Sequence, residues 1–265
     1  MDVCLIVPPA HIEVTRAFQG RFCIGSVALR NRRYRDFFRY AAREEGLIVI
    51  LDNGEYEGER LSDDDLLRLA DYIDASLVVA PDRIGCPAWE NLKMQLAFQR
   101  KCQRPTMFVG QLNPEGGEEE RRAFFETFQI ALDAFPAVSI GPKAVSWLYG
   151  KDPVRDDSNR CKCQFDFWLR QIPHSNYVHF LGLDDEYMWL QYWKTPNSVD
   201  TASLFWQVME ASVEELPYLF DEEGFHSRRR RPENYFEKEY EMTTVKRRAL
   251  ERLFSLVHHY ALGEE

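Results

Sequence analysis

The sequence predicts an α/β fold, a (β/α)8 TIM barrel with a C-terminal helical extension, on three observations. Eight short apolar runs lie between Val3 and Thr201, each ended by turn-forming residues. Segments of helical spacing separate most of them, the alternation that builds parallel sheet through right-handed crossovers. The length, 265 residues, matches what one large barrel needs. A doubly wound open sheet shares this alternation. The count of eight, which includes weak first, second and last runs, favours the closed form.

Taken in order, Val3 to Val7 is a strand stopped by Pro8 and Pro9, and Phe22 to Leu29 (FCIGSVAL) reads as a second. Tyr34 to Glu45 follows as a helix carrying Phe37, Phe38, Tyr40 and Ala41, closed by Gly46. Leu47 to Leu51 is apolar without alternation, the pattern of a strand buried on both faces. The polarity then switches to Asp52, Asn53 and Gly54, residues that shape turns. Ser62 and Asp65 form a capping box before a helix with Leu66, Leu69, Ala70 and Ile73 on one face.

Ser76 to Ala80 is the fourth strand, ended by Pro81 and Asp82, and a helix from Ala88 to Lys101 presents Leu92 and Leu96. Thr106 to Gly110 is the fifth strand and runs into Gln111. Glu118 to Glu120 open the next helix with charge that suits its positive end, and Phe124, Phe128, Ala131 and Phe135 form its stripe. Ala137 to Ile140 is the sixth strand, ending at Gly141. A polar loop over Lys151 to Arg160 and a helix over Gln164 to Gln171 precede the seventh, Tyr177 to Leu181, which ends at Gly182. A short aromatic helix, Tyr187 to Trp193, leads to the eighth, Ser198 to Thr201. The barrel unit is placed at residues 1–210. Residues 211–265 hold an acidic stretch, the arginine run Arg228 to Arg231, and an amphipathic helix over Val245 to Tyr260 that packs on the barrel, with His258 and His259 serving its terminus.

Forty-three acidic against 33 basic residues give a net charge of −10, which opposes nonspecific attachment to nucleic acid or anionic membrane. Nucleic-acid contact therefore requires a local basic patch, and Arg228, Arg229, Arg230 and Arg231 supply one; the other reading of this run is a solvated loop. Six scattered cysteines in a chain of this size read as a reduced, intracellular protein, hence a cytoplasmic location. Cys161 and Cys163, even with His174, fall short of the four ligands of a closed zinc site, so neither zinc nor another cofactor is expected. No apolar run reaches the ~20 residues of a membrane span, and the N-terminal MDVCLIVPP lacks the basic start and long apolar core of a signal peptide. No glycine-rich nucleotide loop is present, and the pattern specifies no oligomeric state.

Loops at the carboxyl ends of barrel strands converge on one pocket. Six residues fall there: Asp52, Asp82, Gln111, Gly141, Gly182 and Asp200. Asp is a common turn residue, so each alone is weak, but three carboxylates, an amide and two residues without bulk in one cleft point to chemistry. Two carboxylates acting across a glycosidic carbon is its simplest form, one attacking or stabilising the sugar and the other handling the proton. His179, inside the seventh strand, reads as a packed core residue.

The motifs LDNGEYEG, APD, VGQ, SIG, FLGLDD and SVDTAS follow one another at successive strand ends, and over roughly Phe22 to Ser203 the chain resembles the tRNA-guanine transglycosylase superfamily. The FCIGSVALRNRRYRDFF and ILDNGEYEG segments look closest to its short phage and DNA-modifying relatives. The resemblance implies exchange of guanine in DNA for a 7-deazaguanine base through a covalent glycosyl-aspartate. By motif match, Asp52 is the acid/base or a base-site carboxylate, Asp82 accepts from the guanine N1 and amino edge, and Gln111 with the Gly141 backbone meets O6. Tyr56 and Trp89 are stacking candidates. Asp200, the one carboxylate in the eighth-strand motif, is assigned the attack; Ser203 stands where the tRNA enzymes carry a second aspartate, and their Cys-x-Cys-x-x-Cys zinc motif is missing. Three other readings stay open: the same exchange on tRNA, a base-binding or partner subunit without catalysis, and a metal-dependent barrel hydrolase.

Overall fold

A computed structural model describes residues 2–148, 176–182, 197–221, 224–226 and 231–262. Eight parallel strands form one sheet: β1 (Asp2–Leu5), β2 (Arg21–Cys23), β3 (Val49–Leu51), β4 (Leu77–Val79), β5 (Thr106–Gly110), β6 (Ala137–Ile140), β7 (Tyr177–Phe180) and β8 (Ser198–Thr201). Neighbours run in the order β1-β8-β7-β6-β5-β4-β3-β2, and a parallel bridge between Cys4 and Gly20 joins the two ends. The result is the expected (β/α)8 barrel with helices added at the C-terminus. Val49, Ile50 and Leu51 are fully buried, as a strand covered on both faces requires.

The helices are α1 (Gly25–Arg30), α2 (Arg32–Arg43), α3 (Asp63–Ile73), α4 (Ala88–Gln99), α5 (Gly117–Ala134), α6 (Pro142–Leu148), α7 (Ser203–Glu210) and α8 (Thr244–Leu262). The capping box is formed as read: the Asp65 amide donates to Ser62 Oγ at 3.2 Å, and the hydroxyl donates to Asp65 Oδ2 at 2.7 Å. Leu66, Leu69, Ala70 and Ile73 on α3, and Phe124, Phe128, Ala131 and Phe135 along α5, are all buried. On α2, Phe37, Phe38 and Ala41 face the core, but Tyr40 turns outward. Gly46 ends this segment in the left-handed region at φ 65°, where a side chain is disfavoured.

One expectation changes and a second is extended. The run Phe22 to Leu29 is not one strand: β2 ends at Cys23 and α1 begins at Gly25. A short, mainly apolar run suits a buried strand or a buried helix equally, and at the start of α1 the chain passes so close to β3 that a Cβ on Gly25 would lie 2.3 Å from the Asp52 carbonyl oxygen. His258 reaches beyond the end of α8: its Nε2 lies 2.8 Å from the Ala17 carbonyl oxygen and its ring stacks on Phe18.

After α7 come a 3₁₀ turn, Leu216–Tyr218, and a small antiparallel pair, Phe220–Asp221 with Gly224–Phe225. Leu250, Leu253, Phe254 and Val257 of α8 belong to the same apolar core as the strands. Ahead of α8, the Tyr235 hydroxyl donates to the Ile6 carbonyl at 2.8 Å, tying the C-terminal segment to the chain just after β1. Among the described residues no helix is long and apolar enough to cross a membrane. The segments predicted over Lys151 to Arg160, Gln164 to Gln171 and Tyr187 to Trp193 lie outside the described residues, as do Cys161, Cys163, His174, Arg228, Arg229 and Arg230.

Candidate active site

A cavity of about 140 Å³ opens at the carboxyl ends of the strands. Asp52, Tyr56, Asp82, Gln111, Gly141, Gly182, Asp200 and Arg231 all line it, so these eight predicted residues reach one space. Trp89 does not; it lies on α4, partly exposed, outside the cavity wall.

One wall is a buried amide–carboxylate–amide network. Asn53 Nδ2 donates to Asp82 Oδ1 at 2.7 Å and Gln111 Nε2 donates to Asp82 Oδ2 at 2.6 Å. Asn53 also donates to the Ala80 carbonyl, while its Oδ1 accepts the Glu55 amide, so the β3 turn is locked to the end of β4. The base of Gln111 is held from behind: Gln95 of α4 both donates to and accepts from the Val109 backbone at 2.8 Å, and Asn91 adds a bond to the same carbonyl. Burial raises the Asp82 carboxyl to about 6, against the two amide donors, which lower it. Gln111 Oε1 is buried without a hydrogen-bond partner among the described residues. A buried acceptor left in that state is costly, and a ligand N–H would satisfy it.

Asp52 and Glu57 line the same cavity. Asp52 Oδ2 accepts the Gly54 amide at 2.8 Å, so the residue does shape its turn while lining the cavity. Burial pushes the Asp52 carboxyl well above the usual carboxylate range, the Glu57 charge adds to this, and the Gly54 N–H opposes it. Such a group suits a proton donor. Glu57 is also raised by burial, with Arg231 opposing through an ion pair at 3.3 Å. The Arg231 guanidinium lies 5.1 Å from the centre of the Tyr56 ring and the Lys143 ammonium 5.5 Å from it, so two cations and an exposed aromatic ring frame the mouth.

Asp200 completes the set from β8. Its Oδ1 accepts the Gly182 amide at 3.0 Å and lies 2.9 Å from His179 Nε2. Gly182 sits at φ 66°, the left-handed geometry that turns its N–H back toward the carboxylate. Gly141 leaves open space where a side chain would stand. Ser203 is buried at the start of α7 and lines the cavity, as does Trp206, whose indole N–H is buried and unbonded among the described residues. Among the described residues no group of three or more His, Cys, Asp or Glu side chains could hold a metal ion.

Sequence reasoning passed over Asn53, Glu57, Lys143, Trp206 and the partnership of His179 with Asp200. Asn53 and Glu57 lie within the LDNGEYEG stretch and follow from it once the turn is placed. Lys143 and Trp206 carry no local signal, since only barrel closure brings α6 and α7 to the same opening.

A (β/α)8 barrel with a buried aspartate network at the carboxyl ends of its strands is consistent with a barrel-enzyme active site. No protein-family model matches this chain, and no curated protein matches it.

Proposed function

We propose that the protein is a pentosyltransferase that replaces guanine in DNA with a 7-deazaguanine base. The observation that carries this reading is the placement of two kinds of carboxylate around one cavity. Asp82 sits in an amide network suited to the edge of a base, while Asp52 and Asp200 stand apart from that network. Asn53 and Gln111 fill the two Asp82 oxygens with N–H groups, as the N1–H and amino group of a guanine edge would do. On base binding, the Gln111 amide turns from Asp82 toward the base oxygen, with the Gly141 backbone beside it.

In this reading an Asp200 oxygen attacks C1′ of the target nucleotide. The bond from C1′ to guanine breaks, its electron pair leaves with the base, and the Asp52 proton neutralises the departing nitrogen. The incoming 7-deazaguanine attacks the glycosyl-aspartate, gives its N–H proton to Asp52, and frees Asp200. A base within duplex DNA must be flipped to reach the cavity. Arg228, Arg229, Arg230 and Arg231 take the backbone, and Tyr56 stacks on the base. Residues 1–210 form the transferase unit and residues 211–265 the segment packed on it.

The test is incubation of the protein with DNA carrying labelled guanine and a 7-deazaguanine base, with tRNA in a parallel reaction. Label release from DNA supports the proposal, and release from tRNA alone moves the substrate to RNA. No release from either, with base binding seen by calorimetry, makes the chain a base-binding subunit.

A further inference from the structure

Behind Asp200 the barrel wall carries a line of polar side chains that the transfer scheme leaves unused. The Tyr177 hydroxyl donates to Ser198 Oγ at 2.8 Å, Ser198 Oγ lies 2.7 Å from His179 Nδ1, and His179 Nε2 lies 2.9 Å from Asp200 Oδ1. His179 is fully buried, and its ring stacks on Phe22 with centroids 5.2 Å apart and planes 6° from parallel. Register explains the contact: His179 of β7 stands opposite Ser198 of β8, and Asp200 is two residues further on the same face.

The direction of these bonds follows from counting protons. A carboxylate oxygen only accepts, so the short contact between His179 Nε2 and Asp200 Oδ1 calls for the proton on Nε2; Nδ1 is then bare and takes the Ser198 hydroxyl hydrogen, while Ser198 Oγ accepts from Tyr177. The imidazole proton is thereby left on Nε2, where it is donated to Asp200. With the proton on Nδ1 instead, a nitrogen lone pair would face the carboxylate oxygen at 2.9 Å. The carboxylate beside Nε2 therefore selects the neutral Nε2–H tautomer, and the Ser198 hydroxyl on the far side of the ring supports it.

We infer that His179 is a positioning residue for Asp200, holding the carboxylate so that one oxygen is anchored and the other is presented to the cavity. The inference rests on the transferase reading above. Two donors, His179 Nε2–H and the Gly182 amide, converge on Oδ1, while Oδ2 has no hydrogen-bond partner among the described residues. Rotation of the carboxylate would break both bonds inside a buried wall. The stacked ring removes the other freedom, because Phe22 on β2 fixes the imidazole plane. Ser198 and Tyr177 act at one further remove by supporting the tautomer.

Two readouts test this. The first is a long-range proton–nitrogen NMR spectrum of protein labelled on its six histidines, with the His179 signals assigned by their loss in His179→Gln. The expected pattern is one neutral Nε2–H tautomer, and an Nδ1–H tautomer overturns the inference. The second is base-exchange kinetics. His179→Leu is expected to lower kcat about 100-fold with KM for the base unchanged, and His179→Gln, whose carboxamide N–H can reach the same oxygen, to recover most of the loss. Wild-type kcat in His179→Leu, or a Gln variant no better than the Leu variant, reduces His179 to core packing. Should the Leu variant fail to fold, Ser198→Ala carries the test: a mixed tautomer with lowered kcat supports the inference, and an unchanged spectrum and rate overturn it. A wild-type protein that exchanges no base refutes the transferase reading by itself, and the tautomer then shows separately whether His179 holds Asp200.

Discussion

Asp82 offers a measurement that needs no substrate. Its carboxyl is raised from the ordinary 3.8 to about 6, and desolvation is the first cause. Between these values the folded chain keeps the Asp82 proton while the unfolded chain has lost it, so folding takes up a proton and stability falls as pH rises. The contribution is fully present below the unfolded value and is lost as pH climbs through about 6. At about 1.4 kcal/mol per pH unit the span corresponds to about 3 kcal/mol. Asp82→Asn removes the titration without emptying the site. The new carboxamide keeps one acceptor for Asn53 or Gln111, and Gln111 Oε1, unbonded at present, can take its N–H if the amide turns. Urea unfolding of both proteins at intervals from about pH 4 to about pH 7 gives the difference between them, in which the other titrating groups largely cancel. The stability of the wild type relative to the variant should fall by about 2.4 kcal/mol across that range, the rest of the span lying below pH 4. A difference that stays flat would show that Asp82 titrates normally and that the network does not desolvate it.

Other outcomes follow from the same geometry. Asp200→Asn should abolish release of labelled guanine while leaving calorimetric base binding intact; full activity would move the attack to another residue. Gly25→Ala places a methyl group 2.3 Å from the Asp52 carbonyl oxygen, a backbone atom that must shift, so chemical denaturation should show a loss of about 1–3 kcal/mol together with slower exchange. Arg231→Met removes the ion pair that lowers the Glu57 carboxyl, so Glu57 in the folded state should hold its proton to higher pH. The variant should accordingly be more destabilised at about pH 8 than at about pH 5, and an equal loss at both would refute the pairing.

Much of this architecture was legible because each signal was local. The unbroken run before Asp52 could only be a covered strand or a buried helix, and five residues are too few for the helix. The α5 stripe and the Ser62 cap likewise depend on neighbours within a turn or two. The α1 segment was not legible, since FCIGSVAL satisfies both apolar patterns, and the contact of Gly25 with Asp52 joins the start of α1 to the residue after β3. The strand-end aspartates could be picked out by type, but their roles could not. Asp52 and Asp82 are both buried acids after strands, and they differ in what the barrel sets beside them: Glu57 for one, two amides for the other. His179 shows the limit most plainly. Its partners lie on the next strand at a register that no spacing within Tyr177 to Leu181 specifies.

The bridge between Cys4 and Gly20 has a consequence for chemistry as well as for closure. Elsewhere the strands meet through continuous ladders, but β1 and β2 meet at this bridge, where a Cβ on Gly20 would come within 2.5 Å of the Cys4 sulfur. Asp200 rides on β8, next to β1, and Asp52 follows β3, next to β2. The barrel's thinnest join therefore runs between the two carboxylates that the proposed transfer sets on either side of a sugar. Any widening there would move Asp200 away from Asp52. A side chain at position 20 would press on the Cys4 sulfur, and Cys4 is the β1 residue that pairs with Asp200 on β8.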